Sequence, residues 1–439
     1  MPSESKNKKT FSRSRRNLFK TGAAVAGGVA FAQANRANAQ STPSFAGRKF
    51  KAFVAGPEGA RVHELKMLPL DENRVVVRTE ACQVCYTITA QAGKRAIPEI
   101  PGHGGVGIVE AVGSKVRRVQ VGDRVIVANT PYCGQCYMCL HGRPDRCQML
   151  PGAGNPFVAV AEMEDGTKVV QHNNEGGFAE LMIPYEWYCM PVFSSVSSVE
   201  LSMLGCVGAC GLGTAFGIAP VEPGSDVCVL GCGPVGLSAV QGARIKGASQ
   251  IIAVEPIRAR RDVAMKVGAT VVLDPNTEAN LVAKVKELCR WPSNRKFAGG
   301  RDWAPNGNNI GPDYVIEAVG GDFVPPKAEA GPDPTGLLPL QQAWEMVSAA
   351  GHIVTVSVGQ KGNFSVPAAQ WSNGNKNHHP GNMNGVSGLR DMQRFARLIE
   401  TGQFNAKALA TATYPLERTE EALRAVAERT TVGAVLVFS

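Results

Sequence analysis

No stretch of this 439-residue chain is both long and apolar enough to cross a bilayer, which takes about 20 residues. It also has no internal repeat and no low-complexity tract, which excludes solenoid and fibrous architectures. Acidic residues are almost missing from the first 39 positions, where one stands against eight Lys/Arg. The remainder holds 38 basic and 36 acidic residues, so most of the formal charge of +9 belongs to the amino-terminal segment. A basic footprint for nucleic acid is therefore lacking. An apolar share of 44 % with 19 % charged residues describes a soluble globular chain long enough for two domains with cores of their own.

The amino-terminal segment has the order of an export signal. A basic stretch reaches Ser14, Arg15, Arg16, Asn17, Leu18, Phe19 and Lys20; an Ala- and Gly-rich run extends to Ala34; Ala37-Asn38-Ala39 is a small-x-small cleavage site. The arrangement resembles a twin-arginine signal in which Leu18 and Phe19 have exchanged order. Residues 1–39 are expected to be removed. The mature chain would start near Gln40, in the periplasm or outside the cell, with the twin-arginine translocation machinery as a partner.

From about Phe45 to Leu201 the chain reads as short strands and turns, such as NRVVVRTEA and VGDRVIVAN. From about Pro223 to Val358 apolar strands alternate with helical stretches, the pattern of a parallel sheet covered on both faces. Two long inserts, 290–311 and 321–336, interrupt that alternation and are read either as an interface or lid or as surface decoration. The domains expected are a β-rich unit over 40–205, a nucleotide-binding unit over 206–358 and a return to the first unit over 359–439.

VLGCGPVG places Gly231, Gly233 and Gly236 after a strand and at the mouth of a helix. The first glycine permits the tight turn, the second lets backbone approach a pyrophosphate, and the third lets helix and strand pack closely. Glu255 ends the next strand roughly twenty residues on, where a carboxylate can hold the adenosine ribose hydroxyls. That carboxylate favours NAD; Arg258, Arg260 and Arg261 follow it and keep NADP open, Arg260 being the nominated cofactor contact.

CGQCYMCLHGRPDRC sets Cys133, Cys136, Cys139 and Cys147 on one short lobe. Four thiolates so spaced make a closed tetrahedral Zn²⁺ site; for an exported chain the alternative is a pair of disulfides. Cys85, His103 and Cys206 are scattered, and each alone is uninformative.

Taken together, VCYT, GHGGVGIVEAVG, VGDRV, the lobe, GGFAELMIP, LGC and the glycine turn resemble the zinc-dependent medium-chain alcohol dehydrogenases over nearly all of the mature chain. The resemblance implies an α/β fold, with a GroES-like antiparallel β-rich catalytic domain and a Rossmann doubly wound parallel-sheet domain. It assigns Cys85, His103 and Cys206 to a catalytic Zn²⁺, a structural Zn²⁺ to the lobe, and Thr87 to accepting the alcohol proton. Hydride would pass between a zinc-bound alkoxide and NAD(H), and a homodimer or homotetramer is expected. Ile88 and Gly104 replace carboxylates usual near the metal, Ala90 a relay histidine, Tyr86 a pyrophosphate contact, and Asn129 a pocket aromatic. Asn129 hints at a substrate with a hydroxyl or carbonyl of its own. Because free NAD is scarce outside the cytoplasm, the cofactor is expected to stay bound and be recycled in place by a second substrate or electron acceptor. The competing readings are a dehydrogenase with diffusible NAD(P) and a non-catalytic binding or sensor protein. His378 and His379 are expected on a surface loop, and Cys82, Cys189, Cys210, Cys228, Cys232 and Cys289 as buried thiols.

Overall fold

The computed structural model describes residues 45–90, 93–150, 158–289, 310–381 and 383–439. The arginine-pair leader and all but the end of the first insert lie outside the described residues. The chain enters as a hairpin, β1 (Lys49–Gly56) and β2 (Gly59–Met67), followed by the long β3 (Val75–Val84). Seven more strands complete the β-rich part before the nucleotide unit: β4 (Glu99–Ile100), β5 (Gly105–Val112), β6 (Arg124–Val127), β7 (Ala161–Glu162), β8 (Lys168–Gln171), β9 (Leu181–Met182) and β10 (Cys189–Pro191). A closed barrel runs β1-β2-β7-β8-β4, filled by Phe50, Leu65, Ile100 and Leu181. The second sheet lays β10, β6, β5 and β3 side by side. β3 slips register against β5 at Val76/Val77 and again at Thr79/Ala81. Such bulges bend a strand and re-aim the residues at its end, here Cys85.

The nucleotide unit is a six-stranded, all-parallel sheet, made of β11 (Asp226–Leu230), β12 (Gln250–Val254), β13 (Val271–Leu273), β14 (Tyr314–Glu317), β15 (His352–Thr355) and β16 (Asn377–Pro380). Its order is β13-β12-β11-β14-β15-β16. That order reverses direction between β11 and β14, and ligands of such sheets bind in the crevice beyond the strand ends there. β11 and β14 are buried along their whole length, which is why they read as continuous apolar runs.

β16 departs from expectation. The histidines assigned to a loop lie in this edge strand, 20 residues past the expected end of the nucleotide unit at 358. His379 Nε2 is 3.0 Å from His352 Nδ1, and His378 Nε2 is 3.0 Å from Thr355 Oγ1. A polar strand held by cross-strand side-chain pairs carries no apolar signature to be read.

The tail then returns to the first unit. After the helix Gly388–Glu400, β17 (Ala412–Pro415) pairs parallel with β18 (Ala434–Val437), and β18 pairs antiparallel with β3, Leu436 opposite Cys82. The strand that ends at Cys85 is thus braced by the chain's own terminus. The two units meet through a pair of helices, Val207–Phe216 and Pro234–Ile245. A Cβ on Gly211 would lie 2.2 Å from the Val235 carbonyl oxygen, and one on Gly242 3.0 Å from Ala215 Cβ. Gly211→Ala is expected to lower unfolding free energy by about 1–3 kcal/mol, the usual range for overpacking. An unchanged denaturation midpoint would show that these helices can part without loss.

Candidate active site

Three separate parts of the chain deliver one donor cluster. Cys85 caps the short helix Tyr86–Thr89 at the end of β3, His103 lies on the loop between β4 and β5, and Cys206 caps the helix Val207–Phe216. Their ligand atoms all lie within 4.8 Å of one another and all three residues are buried. Both ring nitrogens of His103 are buried without a hydrogen-bond partner among the described residues. A neutral imidazole enclosed that way leaves its polar atoms unsatisfied, at a cost of about 1–3 kcal/mol each. Two cysteines facing those nitrogens make a soft N/S donor set suited to Zn²⁺, with a fourth position open. The loops meet because Gly104 adopts φ +78°, and a Cβ on Gly205 would come within 2.4 Å of Gly104 Cα.

Polar neighbours tune these donors. Thr87 Oγ1 donates to Cys85 Sγ at 3.2 Å, and Asn129 Nδ2 to Cys206 Sγ at 3.8 Å. With no metal charge nearby, its contact with Cys206, reinforced by burial, pushes the Cys85 thiol up; a bound cation reverses that balance and favours thiolates.

The lobe forms a second cluster, Cys133, Cys136, Cys139 and Cys147, also mutually within 4.8 Å. Backbone N–H groups donate to its sulfurs, from Cys133 to Cys147 at 3.4 Å, from Cys136 to Cys133 at 3.3 Å and from Gln148 to Cys136 at 3.4 Å. Although burial raises the Cys136 thiol, the Gln148 backbone and neighbouring thiols bring it down to about 6. No disulfide occurs among the described residues, and Cys136 and Cys147 sulfurs stand 4.0 Å apart, about twice a disulfide bond. The geometry is that of a closed metal site.

A cavity of about 390 Å³ joins the Cys85–His103–Cys206 cluster to the glycine turn, with Gly231, Gly233 and Glu255 on its wall. Gly231 takes φ +87°, and a Cβ on Gly236 would sit 1.7 Å from the Gly231 carbonyl oxygen, so the turn closes directly onto the helix Pro234–Ile245. Glu255 accepts from the Cys232 and Ile257 backbone at 2.7 and 3.0 Å. Arg260 also lines the cavity, its Nη2 donating to the Thr431 carbonyl at 3.2 Å and its Nε buried without a hydrogen-bond partner among the described residues. Arg261 is committed elsewhere, to Asp274 at 2.9 Å and to the carbonyls of Glu255 and Pro256.

The second insert crosses this cavity. Tyr86 Oη accepts from the Phe323 N–H at 3.1 Å, the two rings are 5.5 Å apart, and Asp322 pairs with Arg429. Further along, Asn276 Nδ2 donates to the Ala330 carbonyl at 2.8 Å.

Residues 71–194 match the alcohol dehydrogenase GroES-like domain and 234–330 the zinc-binding dehydrogenase domain. The S-(hydroxymethyl)glutathione dehydrogenase of Synechocystis is 30 % identical over 264 residues, 57 % of this chain and 70 % of that protein. This chain belongs to the zinc-containing medium-chain alcohol dehydrogenase family. The geraniol dehydrogenase of Castellaniella defragrans is 35 % identical over 241 residues, 53 % of this chain and 64 % of its own length, a match that spans less than two thirds of that relative. The benzyl alcohol dehydrogenase structure from Acinetobacter calcoaceticus has the same fold, with TM-score 0.73 and 24 % identity over 89 % of this chain and 100 % of that one.

Against the family pattern, the metal surroundings are rebuilt. Ile88 is fully buried in the core, and His103 finds no carboxylate to replace the one usual at that position. For Gly104 a substitute exists: Glu175, wholly buried, accepts from the Gly104 N–H at 2.9 Å, and burial holds its carboxyl well above the usual range. Sequence reasoning missed Glu175, whose one signal is its place just ahead of GGFAEL. It also missed Arg429, Asp322 and the adjacent pair His172 and Asn173, three separate parts of the chain that line one cavity.

Two metal-content measurements separate the clusters. Cys139→Ser is expected to lower zinc by one per chain while the other cluster keeps its ion, and Cys206→Ser the converse. A Cys206→Ser protein still holding two zincs would remove the buried cluster from consideration as a metal site.

Proposed function

We propose that the protein is a zinc-dependent alcohol/aldehyde oxidoreductase that keeps its nicotinamide cofactor bound through successive turnovers. The observation that carries this reading is the single cavity joining the Cys85–His103–Cys206 cluster to the glycine turn, so that metal-side and cofactor-side chemistry share one enclosure. Cys85, His103 and Cys206 would hold zinc, which when bound acidifies a hydroxyl or polarises a carbonyl, while the dinucleotide supplies hydride exchange. Thr87 lines the cavity two residues from Cys85, suited to taking the alcohol proton. With Ala90 in place of a histidine, that proton leaves through water or another group.

The amino end of Pro234–Ile245, Arg260 and Arg429 offer a cradle for the two phosphates. Glu255 favours NAD, because Arg261 is engaged by Asp274 and the cavity wall adds Asp333 on the insert. Retention is supported by the insert, fastened to the nucleotide unit at Asn276 and to the catalytic unit at Tyr86 and Arg429. Held cofactor also accounts for an export leader on a nicotinamide enzyme, since the twin-arginine route carries folded, loaded proteins; we infer a location outside the cytoplasm.

Protein purified without added nucleotide is expected to release close to one NAD(H) and two zincs per chain on denaturation. Empty protein that turns over with added NAD at ordinary concentrations would sink the retained-cofactor reading. Asp322→Asn is expected to quicken nucleotide release, measured by fluorescence of the reduced cofactor, by about ten-fold, one ion pair of some 1.4 kcal/mol. Replacing Arg15 and Arg16 by lysine should leave the protein in the cytoplasmic fraction; unimpeded export would refute the leader assignment.

A further inference from the structure

The cavity wall beside Cys206 is polar and held in place. Asn173 and Asn174 both adopt left-handed backbone, with φ 51° and 60°, a conformation that asparagine tolerates and that recurs where side chains are aimed at a site. Asn173 Nδ2 thereby donates to Asn129 Oδ1 at 3.2 Å, and Asn129 Nδ2 donates on to Cys206 Sγ. Next to them His172 Nδ1 is 2.8 Å from Glu99 Oε1, both side chains partly buried, with Arg95 Nε 3.6 Å from the other carboxylate oxygen. A carboxylate can only accept, so the ring carries a proton on Nδ1, and in the neutral ring Nε2 is then the acceptor. The His172 ring is stacked 5.9 Å from that of His103, which puts it beside the metal donors. His172, Asn173 and Asn129 all line the cavity. Their uncommitted capacity is two acceptors, His172 Nε2 and Asn173 Oδ1, and two donors, the second amide hydrogens of Asn129 and Asn173.

We propose that this wall selects substrates with a second hydroxyl about one or two carbons from the reacting carbon: vicinal or near-vicinal diols and the matching hydroxyaldehydes. A hydroxyl donates to His172 Nε2 or Asn173 Oδ1 and accepts from Asn129, whereas an unsubstituted alkyl chain strips those groups of water and leaves them unpaired. Sites built to bond a substrate hydroxyl discriminate strongly against analogues that lack it. His172, Asn129 and Asn173 are the specificity-determining groups; Glu99 is a positioning residue that fixes the His172 ring. The inference rests on the oxidoreductase reading for the meaning of the reacting carbon, and its test is kept separate from that reading.

The probes are 1-propanol, 1,2-propanediol and 1,3-propanediol, presented to the full zinc- and cofactor-loaded protein. Binding is read by calorimetry and turnover by kcat/KM. A diol is expected to be preferred over 1-propanol by about ten-fold or more. That ratio should fall towards unity in Asn173→Ala and His172→Phe, and recover in part in His172→Gln; Glu99→Gln should lower it without changing zinc content. If His172→Phe does not fold, Asn173→Ala alone decides. Equal affinity for diol and alcohol, or a preference unmoved by these substitutions, overturns the inference. Selective diol binding without turnover upholds the wall and refutes the oxidoreductase reading; turnover of all probes without selectivity does the reverse.

Discussion

Two helices in backbone contact set the distance between the metal donors and the nucleotide turn. Cys206 stands at the amino end of Val207–Phe216 and Gly233 at the amino end of Pro234–Ile245. Gly211 packs on the Val235 carbonyl, so the helices meet at the level of their functional ends. Helix axes usually lie 8–10 Å apart depending on the side chains between them. Glycines at the contact bring the backbones as close as the geometry permits, and packed interiors deform little. Reacting carbon and nicotinamide must meet within about 3–3.5 Å, so a slack interface there would be felt directly in the chemistry.

That frame leaves the electrostatics free to vary. Where the family places a carboxylate directly after the histidine ligand, this chain has Gly104, and the left-handed turn there suits glycine better than glutamate. Glu175 brings a carboxylate to the same backbone N–H from another loop. It has no cationic partner among the described hydrogen bonds and ion pairs, so burial favours its neutral form, and ionising it there is costly unless a cation lies near. A metal held by Cys85, His103 and Cys206 would relieve that cost. By contrast Ile88, inside the core, shows a carboxylate lost outright, which leaves the orientation of His103 to packing and to its stacking on His172.

The legible parts of the sequence were those whose chemistry demands local spacing. The lobe cysteines sit within fifteen residues of each other and the glycine turn within six, so motif and structure coincide. Continuous apolar strands such as DVCVL declared the parallel sheet because both of its faces are buried. The features that escaped notice were long-range or polar. β16 is held by a His352–His379 and a Thr355–His378 side-chain pair and not by an apolar face. Glu175 acts on a residue 71 positions away, and Asp322 on one 107 positions away. Nothing in the local text around any of these residues encodes the partner.

The insert over the cavity is not gripped evenly. Lys327 and Glu428 pair at 3.5 Å with the lysine side chain 73 % exposed, and exposed pairs contribute only about 0–1 kcal/mol. At the other contact Arg429 and Asp322 are 16 % and 18 % exposed, and Tyr86 adds a hydrogen bond and ring contact within the same group. An ion pair that is largely desolvated and hydrogen-bonded costs far more to break, because each partner left behind is an enclosed charge. Further along the insert the bonds go from Asn276 to a backbone carbonyl and from the Arg258 N–H to Glu329, in exposed surroundings. The insert would therefore loosen first at Asn276 and Arg258 and last at Tyr86 and Arg429. A group enclosed beneath it would be uncovered first on the Asn276 side, while the Tyr86 side stayed closed.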